Sequence, residues 1–328
     1  MKAFNFLSAC CAASALLAGC SGAQSSQALP LGAASGTAMP ARAVRTWMSP
    51  DAHRHNLLYV SDNSGFVYVF QYPNGKLVGT LGGFEGSSGL CADTKGDVFV
   101  TNTNGEVVLE YAHGGTKPIA TFLEFGAFPN GCAVDPLSGD LAVTNFATSP
   151  SQGPGNVAVY ANAQGNPTYY TAKDFMEYLF AGYDAKGNLF IDGVDNGTTQ
   201  SLFAELPKGG KSLKNLTVDQ TIGFPGGIQW DGKYMAIEDD MKDTIYRVNF
   251  AGSAGTTAGT VHLSARSHLV VQFWLQGSTI VVPYGGSLRS VKKIGLWKYP
   301  DGGKPTASFD GIGATELIGA AISVIPPH

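Results

Sequence analysis

Charge is scarce in this chain of 328 residues: Asp, Glu, Lys and Arg together make up 14%, and the net charge is −4. No basic stripe is available to neutralise phosphates, which sets nucleic acid aside as a partner. A Gly-x-Ser-x-Gly elbow, a phosphate loop and a Cys-x-x-Cys pair are all missing. Nucleophilic, nucleotide and redox chemistry therefore have no motif to rest on. Long apolar runs are missing as well, except for Phe4 to Leu17 at the very start. That run is too short to span a bilayer comfortably.

Lys2 followed by this apolar run reads as an export signal. It ends in Leu17-Ala18-Gly19-Cys20, which resembles the bacterial lipobox. The resemblance implies a signal peptide over 1–19 and lipidation of Cys20 as the first mature residue. Ser21 rather than aspartate after the cysteine favours the outer membrane. Residues 20–42 are Ala, Ser, Gly, Gln and Pro with almost no charge, a composition that cannot bury enough surface to order itself. They read as a flexible tether of on the order of 25 Å root-mean-square length. The expectation is an exported protein of the bacterial envelope, anchored to the bilayer by its N-terminus.

Against these absences stand 43 glycines, 17 prolines and 44% apolar residues, the composition of many short strands joined by tight turns. One phrase recurs: a small apolar run, an Asp-and-Gly turn, a second apolar run and a polar stop. Gly131-Cys132-Ala133-Val134-Asp135 leads through Gly139-Asp140-Leu141 to Val143-Thr144-Asn145; Gly89 to Asn102, Ala181 to Asp192 and Ile228 to Gly232 repeat the pattern. The aspartates Asp93, Asp135, Asp184 and Asp231 lie 42, 49 and 47 residues apart. Self-similarity at this period predicts an all-β, six-bladed β-propeller of four-stranded antiparallel blades over 43–328. Asn74-Gly75 marks a hairpin in the first blade. The stretch Gly319 to Val324 supplies the inner strand that the first blade lacks, with Ala43 to Met48 competing for that place.

The repeat resembles the NHL type and its relatives among six-bladed propellers over roughly residues 57–325, carried by Gly131-Cys132-Ala133-Val134-Asp135, Gly139-Asp140-Leu141 and Val143-Thr144-Asn145. The resemblance implies the fold and leaves the function open, since receptors, scaffolds, lactonases and lyases share this architecture.

Strand-end polar residues gather on one face of such a fold. Asp62, Asn102, Asn130, Asn145, Asp192 and Asp239 are the candidate ligand-binding groups, with Asn63, Asn104, Asp195 and Asp240 beside them. The competing role is local: Asp and Asn at strand ends cap their own turns. Converging oxygen donors suit a hard cation such as calcium, and zinc is the other metal to weigh. In the gluconolactonase-like propellers a metal ligand sits in a Pro-Asn-Gly, which Pro129-Asn130-Gly131 matches. The acidic partners are replaced by Ser88, Leu179 and Gly226, and Glu316 stands out of register, so no metal site and no catalytic residue is assigned. A lyase would need a histidine base on that face, whereas His53 and His55 precede a strand and His113 sits in a distant hairpin. The expectation is a binding or scaffold module for a protein, small-molecule or carbohydrate ligand, needing no cofactor, with a lactonase-like or lyase-like enzyme as the alternative.

Cys91 and Cys132 remain once Cys20 carries lipid; in successive inner strands they point to opposite faces and could meet across one gap. A disulfide needs Cα atoms within about 7 Å, a distance that adjacent inner strands tend to exceed. Pairing and two small buried thiols both stay open.

The lipobox reading makes Cys20→Ala diagnostic. The variant should move from the membrane to the soluble fraction and lose its lipid label. Unchanged partitioning with undiminished label overturns the anchor.

Overall fold

The computed structural model describes residues 46–148, 153–198, 200–264, 272–284, 292–310 and 313–325. The signal peptide 1–19, Cys20, the tether 20–42 and the first part of the stretch beginning at Ala43 lie outside the described residues.

Among the described residues, twenty-five strands and three single 3-10 turns make up the regular structure. The first group is β1 (Trp47–Met48), β2 (Leu57–Asp62), β3 (Phe66–Gln71) and β4 (Lys76–Gly82). The second is β5 (Ser87–Ala92), β6 (Val98–Asn102), β7 (Val107–Tyr111) and β8 (Pro118–Leu123). Next come β9 (Ala127–Val134), β10 (Leu141–Thr148), β11 (Gly153–Tyr160) and β12 (Thr168–Tyr170). They are followed by β13 (Phe175–Tyr183), β14 (Leu189–Asp195), β15 (Ser201–Leu206) and β16 (Lys214–Val218). Then β17 (Pro225–Trp230), β18 (Met235–Asp239), β19 (Thr244–Ala251) and β20 (Ala254–His262) precede β21 (Trp274–Gln276), β22 (Thr279–Tyr284), β23 (Lys293–Lys298) and β24 (Gly302–Asp310). The last strand is β25 (Leu317–Ser323).

These strands form five sheets. Three have four strands, one has five, and one has eight. The eight-stranded sheet consists of the antiparallel runs β13 to β16 and β17 to β20, joined by a parallel pair of outer strands, with Thr217 opposite Ala254 and Val218 opposite Gly255. Successive inner strands pack side by side around a centre: β25 on β5, β5 on β9, β9 on β13, β13 on β17, β17 on β21 and β21 on β25. This is a closed β-propeller arrangement, and its core lies in apolar layers between neighbouring sheets.

The turn aspartates explain the repeat. Asp93 accepts the backbone N–H of Lys95, Asp135 that of Leu137, Asp184 that of Lys186 and Asp231 that of Lys233, at 2.8–3.0 Å. Each carboxylate thus folds its own first-to-second-strand turn, an Asx-type closure open to short oxygen-bearing side chains. In the second strands burial is nearly complete: every residue of β2 and of β18 is buried. These strands therefore read as continuous apolar runs with a polar end.

The C-terminal strand closes the ring. β25 pairs antiparallel with β2, with Leu57 opposite Ser323 and Val60 opposite Ala320. Trp47 and Met48 instead pair with Thr80 and Gly79 at the outer edge of the same sheet, so the N-terminal stretch covers an edge and is not an inner strand. His113, on the neighbouring hairpin, pins the closing strand: its Nδ1 lies 2.6 Å from Ser323 Oγ and its Nε2 3.1 Å from the His55 carbonyl. Burial pushes the His113 pKa down, in keeping with a neutral ring at this post.

Cys91 and Cys132 are joined as a disulfide with a Cα–Cα distance of 5.6 Å. The expected divergence of inner strands fails here because glycines stand at the contact. A Cβ added at Gly89 would come within 2.5 Å of the Asn130 carbonyl oxygen, and one at Gly131 within 2.6 Å of that of Leu179. Without a methyl group at Gly89, β5 and β9 approach closely enough for the bond, while the Gly131 contact lets β9 approach β13.

Closure by β25 buries Leu317 and Ile322 completely or nearly so. Two such side chains contribute about 3–6 kcal/mol, a large share of a domain's net stability. Truncation after Asp310 should therefore abolish the cooperative thermal transition or cause aggregation. A truncated protein melting cooperatively at the original temperature contradicts closure by this strand.

Candidate functional site

The strand pairings align the ends of the second strands with one another. Val60, Val100, Val143, Ile191 and Ile237 lie opposite Ala320, Leu90, Cys132, Ala181 and Ile228 of their inner strands. Beyond each pair the inner strand carries an irregularity in register. The next second-strand residues are then Ser61, Thr101, Thr144, Asp192 and Glu238, and after them Asp62, Asn102, Asn145, Gly193 and Asp239. Asp192 thus belongs to a different layer from Asp62, Asn102, Asn145 and Asp239.

Every candidate ring residue bonds to its own surroundings. Asp62 accepts the N–H of Ser64 at 2.9 Å and that of Thr315 at 2.7 Å. Asn102 accepts the N–H of Glu85 at 2.6 Å. Asn130 donates to the Leu179 carbonyl at 2.8 Å and accepts from Ser88 Oγ at 3.2 Å. Asn145 donates to Glu124 and to Asn156, at 2.8 and 2.9 Å. Asp239 accepts the N–H of Met241 and pairs with Lys242 Nζ at 2.8 Å. Among the described residues no three His, Cys, Asp or Glu side chains come together as a metal-ligand group. Sequence reasoning missed Glu124, which is buried, accepts from Tyr160 Oη at 2.7 Å and has its pKa raised by burial. A lone glutamate in a turn carried no signal of this.

The other layer is a set of clamps between neighbouring sheets. Ser61 Oγ donates to the Ser88 carbonyl, Thr101 Oγ1 to that of Asn130 at 3.0 Å, and Thr144 Oγ1 to that of Leu179 at 2.7 Å. Asp192 and Glu238 occupy the same place in the next two units. Asp192 Oδ1 accepts the Phe180 N–H at 2.8 Å, while its Oδ2 has no hydrogen-bond partner. Glu238 Oε2 accepts the Gly227 N–H at 3.3 Å, and its Oε1 has no partner. Both residues are wholly buried, and that burial holds their pKa values well above the carboxylate range; for Glu238 the nearby Asp240, Asp243 and Asp192 add to the effect.

At the other end of the inner strands the centre of the molecule holds a cavity of about 220 Å³. Its wall includes the Cys91–Cys132 disulfide, Phe180, Ile228, Trp230 and Trp274, and it reaches Pro136 in an Asp-led turn. Gln272 reaches across to β5, donating to the Leu90 carbonyl at 2.7 Å and accepting the Leu90 N–H at 2.9 Å. Trp274 packs against core layers on the far side of the centre. Trp230 and Trp274 are both half-buried, which leaves part of each indole available. The signal for this site was present: Tyr183 and Trp230 are large residues directly before the repeat aspartates Asp184 and Asp231, where Ala92 and Val134 stand elsewhere.

No family model matches the chain, and no curated protein matches it. Solved structures do. A chain in a crystal structure of a nidogen/laminin complex superposes with a TM-score of 0.65 at 14% identity, covering 83% of this chain and 100% of its own length. A protein of unknown function from Bacteroides caccae superposes with a TM-score of 0.60 at 10% identity, covering 82% and 99%. The likeness is one of fold.

The raised pKa values set a pH dependence. Unfolded, Asp192 and Glu238 ionise near ordinary carboxylate values; folded, they keep their protons to higher pH, so the folded state binds more protons above about pH 4. Stability should fall as pH rises through that window, by up to about 1.4 kcal/mol per unit for each group. Asp192→Asn keeps an acceptor for Phe180 N–H and cannot ionise. Urea midpoints measured from acid to mild alkali should decline less steeply in this variant, which should be the more stable protein at alkaline pH. A wild-type slope contradicts a neutral Asp192.

Proposed function

We propose that the chain is an exported, lipid-anchored, six-bladed propeller that binds a protein or small-molecule ligand and carries out no reaction of its own. The blade count is supported by the common register of Val60, Val100, Val143, Ile191 and Ile237, and by the antiparallel set β21 to β24 beside them. On this reading the eight-stranded sheet is two blades clasped at their outer strands, and the repeat is NHL-like. Export is supported by Leu17-Ala18-Gly19-Cys20 and by the disulfide, a bond favoured in oxidising compartments.

The observation that carries the binding reading is the contrast between the two ends of the channel. The polar ring directs its side chains at neighbouring backbone and side chains, whereas the opposite end presents a concave, aromatic-lined cavity with two half-buried indoles. The site is therefore assigned to the cavity end.

A fragment screen by NMR on protein with labelled indole nitrogens tests this assignment. Bound fragments should shift the indole N–H signals of Trp230 and Trp274. The Trp297 signal should stay still, because that indole is buried and donates to the Gly303 carbonyl at 3.1 Å. Hits that move neither Trp230 nor Trp274, or no hits at all, remove the cavity as the binding site.

A further inference from the structure

A second concavity adjoins the channel cavity. It has a volume of about 390 Å³ and runs between the β5–β8 sheet and the β9–β12 sheet. Val134 and Pro136 line both, so the turn following β9 is a wall the two have in common. Phe99 and Ala120 contribute apolar surface to the second part. Its outer wall is the 3-10 turn Ala161–Ala163, where Asn162 and Ala163 hold φ of 49° and 47°, a left-handed backbone unusual outside glycine. The Asn162 N–H is fixed on Asp140 at 2.7 Å and the Gln164 N–H on the Ala161 carbonyl at 3.1 Å.

The polar groups of this groove divide into those already engaged and those that face it unengaged. Asp93 accepts the N–H groups of Lys95 and Asp97, and Asp135 accepts from Leu137 N–H and Ser138 Oγ. Among the described residues, the Glu110 carboxyl, the Lys95 ammonium and the Gln164 amide make no hydrogen bond through their side chains, and all three line the groove. Glu110 is half-buried, and burial together with Asp97 and Asp93 pushes its pKa up to about 7. Three carboxyl groups, Asp93, Asp135 and Glu110, stand against the one ammonium of Lys95 in the lining, which disfavours an anionic ligand. Carboxyl and amide groups both accept and, when protonated or as NH₂, donate, which suits a ligand whose edges carry hydroxyls.

Resting on the binding reading above, we propose that the channel cavity and this groove form a single site for a neutral oligosaccharide. One sugar ring lays its C–H face on the Trp230 and Trp274 indoles, and the rings that follow pass Pro136 and turn their hydroxyls to Glu110, Lys95 and Gln164. The chemistry matches part by part. A pyranose has an apolar face for an aromatic surface and a rim of hydroxyls for planar polar side chains, and a chain of them is long and uncharged.

Calorimetric titration of the intact protein with β-linked glucose and N-acetylglucosamine series, from monosaccharide to hexasaccharide, tests the proposal. Affinity should rise about tenfold or more between the monosaccharide and the trisaccharide and then level off. Gln164→Ala, at an exposed wall position, should weaken the longer saccharides and leave the monosaccharide unchanged. Trp230→Ala should weaken all of them, and Trp230→Phe, which keeps an aromatic face, should restore part of the binding should the alanine variant fail to fold. Binding independent of chain length, no binding across both series, or preferential binding of a lysine-rich peptide in the groove overturns the oligosaccharide. Failure here with fragments still shifting the Trp230 and Trp274 signals rejects the sugar and keeps the cavity as a binding site; loss of both results rejects the cavity itself.

Discussion

The architecture depends on how closely neighbouring inner strands can approach. Thr101 and Thr144 each reach from a second strand, past their own inner strand, to a carbonyl of the next sheet, and Ser61 does the same. Thr101 and Thr144 span the gap where Gly89 and Gly131 leave no Cβ in the way, and Ser61 where Gly319 leaves none. The irregular register beside each clamp is part of the same device, since it exposes a carbonyl that a regular ladder would have consumed. Close approach then brings Cys91 within bonding distance of Cys132 and leaves the centre narrow enough for Gln272 to cross to β5. A single spacing thus sets the covalent link, the interlocking hydrogen bonds and the size of the cavity.

Much of the fold was legible because it repeats. The turn aspartates recur since each closes its turn through a local side-chain to backbone bond, which depends on residue type and spacing and on nothing distant. The closing strand was legible by subtraction, as one apolar run remained for a blade one strand short. Distances between strands were not. A repeat shows which residues share a level but not how far apart two levels stand, so the disulfide could not be derived, and Trp47 and Met48 were read as a competing inner strand when they cover an outer edge.

The candidate site divides along the same line. Asp62, Asn102, Asn130, Asn145 and Asp239 share a chemistry and an end of the fold, which the sequence displays. Whether such groups face a ligand or the backbone is a matter of orientation, and here they meet Ser64, Glu85, Leu179, Glu124 and Met241. Asp192 looked like a member of that set. One step of register moves it to the opposite side of the pleat, to the level of the clamping hydroxyls, where its carboxyl accepts the Phe180 N–H of its own inner strand and burial holds its pKa well above the carboxylate range. The aromatic end was visible only as an exception, large residues at positions where the other copies carry small ones.

The parallel pairing of β16 with β20 has a bearing on the protein's behaviour in a crowded compartment. An outermost strand is the place where one sheet can recruit another and begin an aggregate. Here two such rims pair with each other at Thr217 and Val218 opposite Ala254 and Gly255, Trp47 and Met48 occupy part of a third, and Leu263 forms a bridge with Gly303 on a fourth. The periphery is therefore partly self-sealed, and a molecule with little surface charge to keep its copies apart gains colloidal protection from its own backbone.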